Sequence, residues 1–402
     1  MTQTMSVHGP TGIADLLERA LLLVDDGTYE QGRLLAEFGL WASHERADYA
    51  ASLDAFERAL AIANSLQDPF LELRVHSNAT PVHDFNLQPD ARLESGLKAI
   101  RLAGELDDPV SVDAHFHVGF KYLKRGDVAS ARFHAEMAVP LAERTKNVFH
   151  WTSAMSLNAG VSSVTGDWDS AREFIIKGLE RSPTEFRMLG HLLHIELMVG
   201  NFDRAIELVR ILEGAAHRSL GALALGALFS APFTITDKFI EANRQTIQSD
   251  SIEPLTKHYG LIGLGMVAIA RQDSALASEV YGNPNFDRTG GGGGLGGLWL
   301  VPVVASLAGL RDEAIARFEA QNVFLRDAGF KPSLALSLAF NAEMLLENEA
   351  RSESASRASA HAGSGEREKA IELQDEALAI TRELGMRPLT ERIVARREIL
   401  RA

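Results

Sequence analysis

Clustered histidines are the first residues in this 402-residue chain whose types and spacing could support chemistry. Imidazole is a common metal ligand and general base, and side chains three residues apart on a helix share one face. Two such groups occur: His191 and His194 with Glu196, and His115 and His117 with His134 and His150. The spacing is not HExxH, so polar positions on helices explain these histidines better than a metal site does. We predict no metal site, and a histidine-based enzyme stays an alternative.

A glycine-rich segment satisfies the GxGxxG pattern at Gly291, Gly293 and Gly296. A dinucleotide-binding loop needs a strand before it and a helix after it, but residues 283–289 do not have the pattern of a strand. The chain contains no GxxxxGK(S/T) phosphate-binding loop. Ser182 and Ser230 have no histidine near them in a nucleophile-elbow context. We therefore predict a flexible loop here, no cofactor and no catalytic residues.

The helices that would position any site are predicted from a repeated pattern of small residues. This pattern is clearest over 118–138. Gly126 falls where one helix must end, because glycine adopts a left-handed cap without steric cost. Asp127 can then cap the next helix through its side-chain oxygen. Ala131, Ala135 and Ala138 share one face of that helix and allow a partner helix to approach closely. The pattern predicts a helical hairpin in the 34-residue tetratricopeptide (TPR) frame.

Further copies of this frame recur along the chain, and one hairpin cannot bury its apolar face without neighbours. The sequence therefore predicts an all-α fold, an α-solenoid of TPR-like helical hairpins wound into a right-handed superhelix over 13–402, after a disordered tail at 1–12. The clearest repeats are predicted at 29–69, 108–147, 149–183, 184–214, 298–328 and 333–385. Flexible loops are predicted at 282–297 and 349–366, and irregular backbone or a lengthened turn at 78–89. A capping helix is predicted over 388–401, with Arg392, Arg396 and Arg397 facing outward.

Composition disfavours several classes of partner. The net charge of -14 disfavours binding to nucleic-acid phosphates and to an anionic membrane surface. The chain has no cysteine, which excludes disulfides and Cys-ligated zinc. Residues 1–12 lack a signal-peptide pattern, and proline interrupts the apolar runs at 220–235 and 296–310. We expect a cytoplasmic protein that binds neither nucleic acid nor membrane directly.

The concave face of the repeats is the best candidate for a binding site. In a TPR array the first helix of each pair lines this face, and aromatic anchors beside a few charges are typical of a peptide or small-molecule groove. The frame assigns nine residues to this face: Trp41, His44, Glu45, Phe116, Phe120, Lys124, Arg187, His194 and Met198. The competing interpretation is that such residues, Phe116 and Phe120 in particular, only pack between repeats.

Three runs carry a resemblance to a known group of proteins. They are ADYAASLDAFERALAIANSLQDP, GDWDSAREFIIKGLERSP and EREKAIELQDEALAITRELGMRPLTERIVARREIL. They resemble the TPR-rich C-terminal region of LuxR-type (MalT-like) bacterial transcriptional regulators and of regulators associated with AAA-ATPases or adenylate cyclases. The resemblance covers most of the chain and implies the sensor and interaction half of such a regulator. No Walker motif, helix-turn-helix or cyclase domain is recognisable, so it carries over no activity.

We therefore expect a non-catalytic TPR scaffold or sensor in bacterial signal transduction or transcription regulation. Its partner would be a protein, such as an ATPase, a cyclase or a DNA-binding regulator, or a small-molecule inducer. Two alternatives remain open: a metal- or small-molecule-dependent enzyme that uses the groove histidines, and a purely structural spacer.

Overall fold

The computed structural model describes residues 11–212, 228–229, 237–287, 297, 299–355 and 363–401. It confirms the all-α prediction, because these residues form helices that pack in adjacent pairs and they contain no strand. The chain divides into two compact units. Unit 1 comprises Met1–Val161, Ile176–Glu185 and Gln245–His258, and unit 2 comprises Ser162–Ile175, Phe186–Arg244 and Tyr259–Ala402. The single solenoid over 13–402 and its right-handed winding stay predictions.

The helices of the first half follow the predicted repeats. They are α1 (Ile13–Leu21), α2 (Tyr29–Arg46), α3 (Tyr49–Leu66), α4 (Pro69–Phe85), α5 (Pro89–Glu105), α6 (Val112–Lys124), α7 (Val128–Thr145), α8 (Val148–Thr165), α9 (Trp168–Arg181), α10 (Phe186–Val199) and α11 (Phe202–Leu212). A short 3-10 turn, Pro109–Ser111, precedes α6. The packed pairs α2 and α3, α4 and α5, α6 and α7, and α10 and α11 are the predicted hairpins.

The described helices of the second half continue this order. They are α12 (Asp237–Gln248), α13 (Pro254–Arg271), α14 (Ser274–Tyr281), α15 (Pro284–Asp287), α16 (Leu300–Leu307), α17 (Arg311–Asp327), α18 (Lys331–Ala355), α19 (Gly363–Glu383) and α20 (Arg387–Arg401). Helix α16 packs on α17, and α18 packs on α19. No helix among these or the earlier described ones has an apolar stretch long enough to cross a bilayer.

The turn chemistry predicted around Gly126 is confirmed. Gly126 has a φ of 80°, and the Asp127 side chain accepts a hydrogen bond from the backbone N–H of Ser130 at 2.9 Å. The small residues of α7 are buried, with Ala131 and Ala138 both 0 % exposed. A Cβ atom on Gly119 of α6 would lie 2.6 Å from Leu157 Cδ2. The small-residue pattern therefore exists because the helices approach too closely for larger side chains.

The prediction of irregular backbone or a lengthened turn over 78–89 is wrong. Helix α4 runs through Pro81 and ends only at Phe85. A proline inside a helix removes one backbone hydrogen bond and disfavours the helix by roughly 3 kcal/mol. Here Val75, Ala79 and Val82 are buried in one core with residues of α2 and α3. Burial of about three such side chains outweighs the loss, since each contributes on the order of 1–3 kcal/mol.

Two predicted loops contain more helix than the composition suggested. Helix α18 extends to Ala355, inside the predicted loop at 349–366, and α19 begins at Gly363. Within the predicted loop at 282–297, α15 forms a short turn of helix because Phe286 is completely buried. The predicted loop residues 288–296 and 356–362, and the predicted tail over 1–10, lie outside the described residues.

The predicted C-terminal helix is present, but of the three arginines predicted to face outward only Arg396 does so, and the side chains of Arg392 and Arg397 are 21 % and 20 % exposed. Arg397 donates to Gln374 and to the carbonyl of Ile371 on α19. Leu389 and Ile393 are buried as the apolar pattern of α20 indicates. Arg392 donates from Nε and NH2 to the two carboxylate oxygens of Glu343, at 2.7 and 2.8 Å. Its guanidinium also lies 5.0 Å from the ring centroid of Phe340. The partner carboxylate lies 49 residues away, on α18, so local periodicity did not reveal it.

Residues 384–388, which we call the C-terminal clasp, bind two hairpin turns of unit 2. The indole Nε1 of Trp168 donates to the carbonyl of Leu384 at 2.8 Å. Arg387 donates to the carbonyls of Val199 and Gly200 at 3.1 and 3.3 Å. These contacts join residues 187 to 216 positions apart, whereas a linear solenoid joins only neighbouring repeats.

Candidate functional site

The nine predicted face residues divide between the two units. Trp41, His44 and Glu45 lie on α2, and Phe116, Phe120 and Lys124 lie on α6, all within unit 1. Arg187, His194 and Met198 lie on α10 in unit 2.

Glu45 is a helix cap in this structure. Its Oε1 accepts hydrogen bonds from the backbone N–H groups of Thr11 and Ile13 at 3.0 and 3.2 Å, and its Oε2 accepts from Ala14 N–H at 2.9 Å. Burial opposes ionisation, but these donors together hold the pKa of Glu45 below its usual value. A carboxylate at a helix N-terminus satisfies otherwise unpaired donors. Glu45 thus anchors α1 to α2, and both its oxygens are engaged within the fold.

Trp41 and His44 belong to a row of rings that connects α2 with α4. The ring centroid of His44 lies 6.5 Å from that of Trp41 and 5.0 Å from that of Phe85. His44 Nδ1 donates to the carbonyl of Leu40 at 3.0 Å. Burial lowers the pKa of His44 to about 4, so the imidazole is neutral at neutral pH.

The corresponding rings of α6 are joined to α4 by a hydrogen bond. Phe116 makes edge-on contacts with His117 and Phe120, with centroids 5.1 and 4.9 Å apart. His117 Nδ1 lies 2.9 Å from Oδ2 of Asp84, the residue beside Phe85. Aromatic rings and charges therefore lie together on α2, α4 and α6, the first helices of three successive hairpins.

Asp84 also accepts a hydrogen bond from Arg92, a residue of α5 that the sequence pattern did not indicate. Burial opposes ionisation of Asp84, but the positive charge of Arg92 and the hydrogen bond with His117 outweigh it and keep the pKa of Asp84 below its usual value. Arg92 is only 2 % exposed, and its Nε and NH2 groups make no hydrogen bond to any described residue.

Two lysines of α6 complete this cluster. Lys121 is buried and Lys124 is half-buried, and neither ammonium group forms an ion pair within the described part of the chain. Burial lowers the pKa of Lys124 to about 8, even though Asp84 favours its charged form. Burial also lowers the pKa of Lys121, as do the nearby guanidinium groups of Arg125 and Arg92. We call Asp84, Arg92, His117, Lys121 and Lys124 the cationic cluster.

A repeat-register comparison could have found Arg92. Leu87 has a φ of 55° in the turn between α4 and α5, and Arg92 follows it by five residues. At this position after the corresponding turn, six other described hairpins have a small residue that is 0 % exposed: Ser52, Ala131, Ala171, Ala205, Ala277 and Ala314. Arg92 was missed because we expected irregular backbone across this turn.

The α10 residues do not form a comparable site. Met198 is 1 % exposed and lies in the core of unit 2. Burial lowers the pKa of His191 and His194 to about 4. Glu196, the nearby carboxylate, accepts hydrogen bonds from Arg172 Nε and Asn201 Nδ2, both at 2.9 Å. Arg187 is half-buried beside these histidines.

The histidines considered for a metal site are otherwise engaged. His115 Nδ1 and His134 Nδ1 lie 3.0 Å apart, and the ring of Tyr122 stacks on His134 with centroids 5.5 Å apart. Burial lowers the pKa of both histidines, that of His115 to about 4. Across the described residues, no three His, Asp or Glu side chains are grouped so that they could hold a metal ion.

A cavity of about 530 Å³ lies elsewhere in unit 1 and contains none of the predicted residues. It is lined mainly by α3 and α4, with Phe56, Leu60, His76 and His83 among its residues. The hydroxyl of Tyr49 lies 2.9 Å from His83 Nδ1. Periodicity did not indicate this cavity, because it depends on the spacing between two helices of different hairpins.

Comparison with known proteins adds no relative. No family model matches this chain, and no curated protein matches it. The resemblance to TPR regions of bacterial regulators therefore stays a prediction.

Proposed function

We propose that this chain is a non-catalytic TPR-like scaffold or sensor, and that it binds its partner or inducer on the face formed by α2, α4 and α6. The observation that carries the proposal is the continuous set of rings and charges on these three first helices. Trp41, His44 and Phe85 join α2 to α4, and His117 joins α6 to Asp84. Rigid aromatic side chains beside a few charges provide contact area and orientation for a ligand.

Binding would act by shifting a population of conformations. A ligand that contacts three successive hairpins at once favours the arrangement in which those contacts fit best. Because each hairpin contacts its neighbours, a change at this face changes the packing of consecutive repeats. This supports a regulatory role, and the resemblance in sequence suggests a cytoplasmic bacterial system with an ATPase, a cyclase or a DNA-binding protein as the partner.

The test is a capture experiment from the native cytoplasm, with quantitative mass spectrometry. The full chain and a Phe116→Ala plus Phe120→Ala variant serve as baits. We expect a specific partner to be recovered by the wild type and reduced about tenfold or more by the variant, because anchor residues contribute about 2 kcal/mol or more.

The matched control is Phe133→Ala plus Met137→Ala on α7, where both side chains are exposed, by 56 % and 42 %. It removes similar apolar area from a second helix of the same hairpin. Circular dichroism checks that the Phe116 and Phe120 variant remains folded. If it is folded and captures the partner as well as the wild type does, the proposed face is contradicted. An equal loss of capture with both variants contradicts it too. If no protein is recovered, a thermal-shift screen of metabolites applies the same pair of variants to an inducer.

A further inference from the structure

Arg92 is the exception to the repeat pattern. The position five residues after the hairpin turn is a fully buried Ala or Ser in six other described hairpins, as expected where two helices approach closely. In the second hairpin this position holds a guanidinium that is 2 % exposed. A buried charge at a close-packed position costs stability unless it is fully paired. Departures of this kind are expected at functional sites.

The charges around Arg92 are not balanced. Arg92, Lys121 and Lys124 are cationic, whereas Asp84 is the one carboxylate within the cationic cluster. The nearby Asp90 has a side chain that is 88 % exposed, and it pairs with Arg125 at 3.1 Å. The cluster therefore keeps about two uncompensated positive charges when its lysines are protonated, in a chain whose net charge is -14.

Hydrogen-bond donors accompany this charge. Arg92 donates to Asp84 through NH1, while its Nε and NH2 groups are buried and unpaired in the described structure. Leaving a buried donor unsatisfied costs roughly 1–3 kcal/mol, and more when the donor is charged. Guanidinium and ammonium groups recognise oxyanions through short charge-assisted hydrogen bonds.

We propose that the cationic cluster binds a doubly charged oxyanion, a phosphate monoester, whose apolar portion lies against Phe116 and Phe120. A phosphate monoester carries a charge near -2 at neutral pH and offers three acceptor oxygens. It matches both the number of uncompensated charges and the unpaired donors of Arg92. The inference rests on the proposed function, since it names the ligand chemistry of the same face.

The experiment is isothermal titration calorimetry of the full chain in phosphate-free buffer, with phenyl phosphate and benzoate as probes. We expect phenyl phosphate to bind about tenfold or more tightly than benzoate, because the monoanion leaves one charge and some donors uncompensated. Failure of phenyl phosphate to bind, or benzoate binding of equal affinity, would overturn the proposal.

Two variants locate the binding. Lys124→Met removes one charge without touching the contact between Asp84 and Arg92. Asp84→Ala plus Arg92→Ala removes that ion pair as a unit and restores the small residue found at this position in six other hairpins. Each should weaken phenyl phosphate binding about tenfold or more. Lys98→Met on α5 is the control, because Lys98 is exposed and pairs with Glu94 at 2.9 Å. Equal affinity in all these proteins places the anion elsewhere and overturns the proposal.

A second readout separates a binding role from a structural one. Because burial disfavours the charged form of Lys124, Lys124→Met should raise the unfolding temperature in phosphate-free buffer while it removes the stabilisation by phenyl phosphate. A lower unfolding temperature would mean that Lys124 serves the fold through Asp84. Partner capture that needs Phe116 and Phe120, without phenyl phosphate binding, would refute this inference and leave the proposed function intact. If phenyl phosphate binds but partner capture does not need Phe116 and Phe120, this inference stands and the face is refuted as a site for a protein partner.

Discussion

The two units differ in the sequence distance over which their contacts act. In unit 1 the polar contacts join neighbouring hairpins: Asn86 donates to Ser43 at 2.8 Å and Arg74 to Glu37 at 2.9 Å, across 43 and 37 residues. In unit 2 the C-terminal clasp joins Leu384 to Trp168 across 216 residues. Contacts of one repeat length transmit a change only to the next hairpin, whereas the clasp couples distant parts of the sequence. We therefore expect unit 1 to open locally and the clasped hairpins of unit 2 to open together.

Among the variants that test this difference between the units, Gly200→Ala should have the largest effect on stability. Gly200 has a φ of 79°, and an added Cβ would lie 2.9 Å from Pro388 Cγ in the clasp. We expect the variant to lose about 3 kcal/mol of unfolding free energy, of which roughly 1–2 kcal/mol is left-handed backbone strain and the remainder is displacement of the clasp. Denaturant unfolding measures the loss, and hydrogen exchange should accelerate at 384–388.

Gly309→Ala is the matched control. Gly309 has a φ of 84° in another hairpin turn of unit 2, and its Cβ would meet nothing within 4 Å. Gly309→Ala should therefore lose only the roughly 1–2 kcal/mol of unfolding free energy that left-handed backbone strain costs, and hydrogen exchange at the clasp should not change. Equal losses in the two variants would show that the clasp contributes nothing to the stability of these turns.

Acid should destabilise unit 1 through its buried histidines. Burial lowers the pKa of His44, His76 and His115 to about 4, from an ordinary value near 6.5. Between pH 6.5 and pH 4 the unfolded chain binds protons that the folded chain does not, so stability falls as pH falls. For His44 alone this amounts to about 2 kcal/mol at about pH 5.

The measurement compares the unfolding temperatures of the wild type and His44→Leu at about pH 7.5 and about pH 5, which lie on either side of the ordinary histidine pKa. The variant should lose less stability between the two values, because it has one fewer histidine to protonate. The clasp residues 384–388 contain no histidine, so Gly200→Ala should keep the pH dependence of the wild type. An unchanged pH slope in His44→Leu would show that His44 does not resist protonation in the folded protein.

The smallest expected effect on stability comes from removing one indole hydrogen bond in each unit. Trp168 donates to Leu384 in unit 2 at 2.8 Å, and Trp151 donates to the carbonyl of Lys177 in unit 1 at 2.9 Å, only 26 residues away. Trp168→Phe and Trp151→Phe each remove one such bond, so each should lose about 1 kcal/mol. Hydrogen exchange then distinguishes them: Trp168→Phe should accelerate exchange near 168 and near 384 together, and Trp151→Phe only within its own hairpin. Identical, local exchange patterns would remove the distinction between the units.

Much of the fold could be predicted because its signals are local. Gly126 and Asp127 specify a turn and a cap within about four residues, and Ala131 lies on a face defined by helical periodicity. The prediction failed where burial overrode a local signal, as at Pro81, which composition marks as a break but α4 accommodates within its core. It failed in the same way at Arg392, which pairs with Glu343 rather than facing solvent.

The candidate site could be predicted only in part. Phe116, Phe120 and Lys124 were selected by their place in the frame, but Glu45 and Met198 occupy places in the same frame and serve a helix cap and a core. Helical position specifies a face, and neighbouring helices decide whether that face meets solvent, a core or another helix end. Arg92 was missed because it stands out only when the same position is compared across the hairpins and when its burial is known.

The amino-acid sequence by itself determined that this chain forms stacked helical hairpins, since turn glycines, capping carboxylates and small residues at helical spacing act over a few neighbouring positions. Only the tertiary structure decided that residues 384–388 bind two distant turns, and that three cationic side chains lie around Asp84. Both results depend on distances between groups far apart in sequence. Their energies arise from burial and hydrogen bonding that exist only after the hairpins have packed.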